Sequence, residues 1–318
     1  MAPELWYPLT EPTSRGDGFH SPFGGTWPDL GDAARWCDGM QQIGVLTEDD
    51  AKRFRFWIEH GYISLPNAVP LDAVDALNDA IERMWRDPAS VQDVYAETYD
   101  GVLRIERVRS DIRDAPHKVL DLHTQLPAAE PVVFAPDILR FLKLLFLRPP
   151  MAFQSLYFTV GTKQHMHQDT AYVPVNSPME FAGVWIALED VRPGTGELQY
   201  FDGSHRIPEY LFDGKYRSKR SDEPNDEPFL RHVYERSVEA GCELVKFLPK
   251  KGDALIWHAD LVHGGSQDVV EGSTRRSIVT HFCPRDVMPG YFRDGVPHSR
   301  ISEAANGEAF RCNWRHDV

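Results

Sequence analysis

His165, His167 and Asp169 lie within one short stretch, KQHMHQDTAY (163–172). Two imidazoles and one carboxylate are the donor set that holds a non-heme Fe(II) ion on one face and leaves the opposite face open. On a β-strand successive side chains point to opposite faces, so residues two apart share a face. Read as a strand, this stretch turns all three side chains the same way. At strand spacing His165 stands about 13 Å from Asp169. That is too far to share an ion with it, so His165 is read as a residue beside the pocket. His167 and Asp169 remain as an H-x-D pair. A chain with 13 histidines matches that pair by chance, so a metal site needs a third ligand from elsewhere.

The stretch GDALIWHADLVHGGSQ (252–267) offers two, His258 and His263. Gly-Asp ahead of a hydrophobic run reads as a turn feeding a strand. The offset of five puts the two histidines on opposite faces, and His258, next to Trp257, reads as a packed or surface residue. His263 precedes Gly264-Gly265, where backbone approaches closely and leaves room for a ligand. A dozen residues on, RRSIVTHF (275–282) reads as a second β-like run pairing with the first and projecting an arginine into the same cavity. A guanidinium fork holds a carboxylate bidentately. Ser277, two residues after Arg275, shares its face and offers a hydroxyl.

From about residue 151 the chain alternates short β-like runs with turns: FQSLYFTV, HQDTAYVPV, GVWIALEDV, ELQYF, ELVKFLP, DALIWHADLVHGG and RRSIVTHFC. This texture predicts a sandwich or jelly roll. Upstream, residues 1–46 are rich in Gly, Pro and Trp and read as an extended arm. Residues 47–150 read as a helical part. Thr47 caps a helix with Asp50 at its third position, and Gly61 ends it. YISLP (62–66) is a short strand. A second helix starts near Pro70, with Leu71, Val74, Leu77, Ile81 and Met84 at three- and four-residue steps. A third opens at Pro136 in PDILRFLKLLF. The expected whole is a single domain over 1–318, mainly β with helices packed outside. Its core spans 151–290, with a charged insertion at 206–236 read as a surface loop or lid and a tail at 291–318.

An apolar content of 42% allows a sizeable core, and a net charge of −14 argues against nucleic acid or an anionic membrane as partner. KYRSKR (215–220) is a local basic exception. Cys37, Cys242, Cys283 and Cys312 lie far apart without a C-x-x-C pair, which argues against a zinc knuckle or thioredoxin-type site and suits a reducing compartment. No signal peptide is visible, and the longest apolar run, FLKLLFL (141–147), is too short to cross a bilayer. The expectation is a soluble, cytoplasmic protein acting on a small molecule, with its oligomeric state open.

Taken in order, HQDTAYVPV, VWIALEDV, PGTGELQYFDGSH, WHADLVHGGS and RRSIVTHF resemble the phytanoyl-CoA dioxygenase family of Fe(II)/2-oxoglutarate oxygenases. The resemblance covers roughly 150–285, and FWIEHGYISLPNAVP (56–70) is similar to the family's N-terminal opening. It implies a double-stranded β-helix, the cupin-like jelly roll, with iron between its sheets and His167, Asp169 and His263 as ligands. Arg275, six residues before His281-Phe282, would bind the distal carboxylate of 2-oxoglutarate, with Trp185 in the cosubstrate pocket and Ser277 beside it. The chain reads H-G-G-S where the family has H-G-S, which leaves Arg276 as a lesser claimant. The implied reaction consumes O2 and 2-oxoglutarate, releases succinate and CO2, and hydroxylates an unactivated C–H bond of a small organic substrate. Desaturation, cyclisation and epimerisation use the same ligands and stay open, whereas a filled carboxylate position at Asp169 speaks against halogenation. Gln154, Tyr157, His165, Tyr172 and His281 are candidates for the substrate pocket. The alternative is a cupin-like zinc hydrolase or isomerase that does not use 2-oxoglutarate.

Overall fold

A computed structural model of the chain describes residues 18–91, 93–99, 103–113, 117–219, 225–290 and 301–311. Its first helix, α1 (Ala33–Gln42), buries Ala33, Cys37 and Met40 on one side. The extended-arm reading is therefore corrected for 33–42: glycines at 31 and 44 bracket a short amphipathic run, and the abundance of glycine around it hid the period. Residues 1–17 lie outside the described residues.

Helix α2 (Glu48–His60) begins with a reciprocal cap. Asp50 N–H donates to Thr47 Oγ1 at 3.2 Å, and Thr47 N–H donates to Asp50 Oδ2 at 2.9 Å. Gly61 ends the helix at φ 77°, a left-handed conformation glycine adopts at little cost. Strand β1 (Tyr62–Leu65) follows, then α3 (Leu71–Arg86), which buries Val74, Leu77, Ile81 and Met84. The single turns α4 (Leu122–Gln125) and α5 (Glu130–Val133) lead to α6 (Pro136–Phe146). Three strands interrupt this part: β2 (Tyr95–Tyr99), β3 (Leu103–Arg107) and β4 (His117–Leu120). Residues 47–150 are thus not wholly helical. YAETY and LRIER carry charges on partly open faces, which blurred the strand alternation.

The remaining strands are β5 (Pro150–Phe158), β6 (Ala182–Ala187), β7 (Leu198–Phe201), β8 (Leu244–Lys246), β9 (Ala254–His258), β10 (His263–Gly265), β11 (Ser277–Pro284), β12 (Ile301–Glu303) and β13 (Ala309–Arg311), with helix α7 (Glu227–Glu239) before β8. One large sheet runs β1-β9-β6-β11-β5-β4-β2-β3, and β13 joins it parallel to β5. A small antiparallel sheet runs β10-β7-β8. The two pack face to face as a jelly roll without closing into a barrel. Strand alternation sorts the side chains. Val184, Ile186, Ile256 and Ile278 face the helices, while Trp185, Leu255, Trp257 and Val279 face the small sheet. Each such aliphatic chain, once buried, contributes about 1.5–3 kcal/mol.

The insertion is more than a solvated loop. Its second half enters α7, and Arg217, in the basic cluster, is buried; residues 220–224 lie outside the described residues. So do 291–300 and 312–318 of the tail, while 301–311 holds the β12–β13 hairpin. Among the described residues, Cys37, Cys242 and Cys283 form no disulfide with one another. Among the described residues no helix is long and apolar enough to cross a membrane.

Candidate metal centre and its cavity

His167 and His263 are backbone partners. Each donates its N–H to the other's carbonyl, at 2.8 and 2.9 Å. Beyond this single bridge the chain turns at once, and Asp169 opens a 3-10 turn, Asp169–Ala171. The stretch 163–172 is therefore no regular strand. A bridge and a tight turn, not pleat alternation, bring His167 and Asp169 together.

The convergence is close. One donor atom from each of His167, Asp169 and His263 lies within 4.8 Å of the others, and all three residues are buried. His167 Nε2 is 3.6 Å and His263 Nε2 is 3.7 Å from the same carboxylate oxygen, Asp169 Oδ1. The outer ring nitrogens contact carbonyls two residues upstream: His167 Nδ1 lies 2.8 Å from His165 O, and His263 Nδ1 lies 2.9 Å from Leu261 O. Those contacts place the proton on Nδ1 and aim the Nε2 lone pair inward, as a ligand requires. Gln164 Nε2 donates to the inward nitrogen of His167 at 3.1 Å.

The second carboxylate oxygen is already engaged. Asp169 Oδ2 accepts the indole N–H of Trp257 at 2.7 Å, with His281 Nε2 at 3.3 Å. Oδ1 is left for an ion. Burial alone would raise the Asp169 carboxyl, but the imidazoles of His263 and His281 beside it hold it well below the usual carboxylate range. Burial pushes the His263 ring down to about 4. A carboxylate at Asp169 and a neutral imidazole at His263 at neutral pH are protonation states a divalent ion needs. The donor set, its directions and its charge fit a divalent metal.

The cluster sits at the floor of a cavity of about 340 Å³ whose walls include Gln154, Tyr172, Trp185, Arg275 and His281. Arg275 is 3% exposed. Its guanidinium lies 5.6 Å from the Trp185 ring and 5.8 Å from the Phe158 ring. Nε has no hydrogen-bond partner, and burial pushes the group down to about 10. Trp185 Nε1 and Ser277 Oγ, on the same face of the large sheet, are also buried without partners. Buried polar groups left open in one place call for a ligand, and a guanidinium calls for an anion.

Several predicted residues fall elsewhere. His165 is exposed and outside the cavity walls, whereas its neighbour Gln164 lines the cavity. Tyr157 faces the helical layer, one residue out of phase with Leu156 and Phe158, which do line the cavity. Arg276 points away and pairs with Glu82 at 2.8 Å. His258 is buried against Asp29, 3.1 Å away, remote from the donor cluster. Tyr172 reaches the cavity because it follows the 3-10 turn, and its hydroxyl donates to Asp226 Oδ2 at 2.7 Å. Trp257 was missed as a site residue. Its signal was Gly183: the two are paired on neighbouring strands, and a Cβ at 183 would lie 2.2 Å from the indole.

Comparison with known proteins places this architecture. The family model for phytanoyl-CoA dioxygenase matches residues 57–277. The human peroxisomal phytanoyl-CoA dioxygenase is 24% identical over 260 residues, spanning 76% of this chain and 70% of that protein. The solved structure of the non-heme alpha ketoglutarate dependent carbocyclase SnoK from nogalamycin biosynthesis superposes with a TM-score of 0.57 at 20% identity, covering 81% of this chain and 92% of SnoK. The epimerase SnoN, solved with Fe3+, alpha ketoglutarate and nogalamycin RO, gives 0.55 at 15% identity over 85% and 96%. The likenesses in structure establish the jelly-roll fold, and the family match runs from α2 to the start of β11. The chain belongs to the phytanoyl-CoA dioxygenase family.

Proposed function

We propose that this chain, a 2-oxoglutarate dioxygenase by family, hydroxylates an unactivated C–H bond of a small organic substrate. The observation that carries the reading is the pairing, in one cavity, of a His-Asp-His donor cluster with the buried guanidinium of Arg275, whose Nε has no hydrogen-bond partner. His167, Asp169 and His263 would hold Fe(II). Arg275, with the Ser277 hydroxyl, would hold the distal carboxylate of 2-oxoglutarate, and Trp185 would wall that end. Bound together, the iron and 2-oxoglutarate supply the oxidative decarboxylation that yields succinate and CO2 and drives attack on the C–H bond.

The chain's own residues position and exclude. Trp257 fixes the carboxylate plane of Asp169 through Oδ2. Leu156, Phe158 and Val279 give the cavity dry walls, which strengthen the polar contacts inside. Gln154 and Tyr172 stand on the substrate side of the cluster. A zinc hydrolase gives no role to the unpartnered Nε of Arg275 in the same cavity.

Fe(II) and 2-oxoglutarate added without oxygen should give a visible metal-to-ligand charge-transfer band. Its absence in folded, metal-loaded protein refutes the reading. Candidate carboxylic acids and osmolytes can then be screened by succinate release. For any that respond, one atom of labelled dioxygen in the product marks hydroxylation, whereas unlabelled product marks desaturation, cyclisation or epimerisation.

A further inference from the structure

The basic cluster in the insertion contributes one residue to the interior. Arg217 is 4% exposed, and its guanidinium pairs with Asp260, which is 3% exposed. The same Nη2 donates to Thr170 Oγ1 at 3.1 Å, and Thr170 Oγ1 donates to Asp260 Oδ1 at 2.6 Å. Asp260 is also held through its main chain: Gln168 Nε2 donates to its carbonyl at 2.8 Å. Gln168 and Thr170 are the two neighbours of Asp169. Asp260 lies three residues before His263, in the link between β9 and β10.

We propose that Asp260, clamped by Arg217, is a positioning residue for the metal centre. It ties the loop that carries Asp169 to the loop that carries His263, so that the insertion at 206–236 sets the spacing of the ligands. This rests on the iron reading above. Two further contacts run the same way. From the insertion, Lys219 N–H donates to Ala171 O at 2.8 Å; just before it, Ser204 Oγ accepts from Val262 N–H, beside His263, at 2.8 Å. A buried charge pair is a poor choice for stability alone, since apolar side chains of similar volume serve as well or better. Its value is direction: ligands must be held in one geometry, and groups behind the ligands do the holding.

The test is Fe(II) affinity, measured anaerobically by titrating the metal into full-length, metal-free protein with 2-oxoglutarate present, beside thermal melting of the metal-free protein. Arg217→Met should weaken Fe(II) binding about 10–100-fold, the usual range for losing a group that orients a metal ligand, and Arg217→Lys should recover part of it. Thr170→Val removes one tie without stranding a charge, and should weaken binding less while leaving the protein folded. Asp50→Asn is the control. It breaks an ion pair with the half-exposed Arg140 on α6 and the cap of α2, at residues outside the cavity walls, and should lower melting without changing Fe(II) affinity. If Arg217→Met and Thr170→Val melt lower yet bind Fe(II) within about threefold of wild type, the proposal is overturned. If wild type itself shows no Fe(II)/2-oxoglutarate band, the functional reading fails first.

Discussion

Arg275→Met separates binding from stability with opposite signs. The native guanidinium is buried, pushed down to about 10, and lacks a hydrogen-bond partner at Nε. At pH 7 it is still protonated, so the cost of burying it is present. A fall of that size from the ordinary guanidinium range corresponds to on the order of 3 kcal/mol. An anion that enters the cavity and pairs with the group recovers a comparable amount, because charge-assisted hydrogen bonds contribute about 1.5–3 kcal/mol each. Methionine keeps apolar contact with Trp185 and Phe158 but offers no charge. The metal-free variant should therefore melt no lower than wild type, while its affinity for 2-oxoglutarate, read from the charge-transfer band against concentration, should fall about 100-fold, since each 1.4 kcal/mol is a factor of ten. Fe(II) affinity without cosubstrate should not change. A variant that melts markedly lower and binds 2-oxoglutarate normally would show that Arg275 is a structural residue and that the cosubstrate sits elsewhere.

Trp257→Phe keeps the ring but removes the N–H that donates to Asp169 Oδ2 at 2.7 Å. Fe(II) affinity should drop about tenfold, measured by anaerobic titration, with melting little altered. Gly183→Ala drives a methyl into the Trp257 indole, 2.2 Å away. It should destabilise the metal-free protein by about 1–3 kcal/mol in urea unfolding, and a neutral result would mean that the two strands slide freely. The pH dependence follows from His263. Its folded ring titrates at about 4 because burial opposes the charge, whereas an unfolded imidazole titrates near 6.5. Between those values the unfolded chain binds more protons, so stability is lost as pH falls through that window, by up to about 3 kcal/mol at pH 4. Metal-free wild type should show this slope in melting temperature, and His263→Gln should flatten it.

The donor set was legible because its residue types are scarce together and their order is fixed: H-x-D, then H-G-G, then the arginine ahead of H-F. The geometry behind it was not. Strand alternation was the reason for pairing His167 with Asp169, yet a single bridge and a 3-10 turn perform the convergence, and His165 lies exposed outside the cavity walls. Tyr157 was misplaced by one step of phase on β5, which sequence alone does not set when apolar residues stand on both faces of a buried strand. Trp257 was not singled out because a hydrogen bond to a carboxylate 88 residues away leaves no local trace. The insertion read as solvated for a related reason. Its charged composition describes the segment on average, and the one buried arginine carries no mark that separates it from its neighbours.

The mutual backbone bridge between His167 and His263 has a kinetic corollary. One pair of backbone hydrogen bonds holds both ligand-bearing residues, so the local unfolding that opens it frees both histidines together, and with them the metal. Amide hydrogen exchange at these two positions then becomes a clock for metal loss. Both amides should exchange at one common rate in the metal-free protein, and that rate should slow together, in proportion to Fe(II) occupancy, as the ion is added.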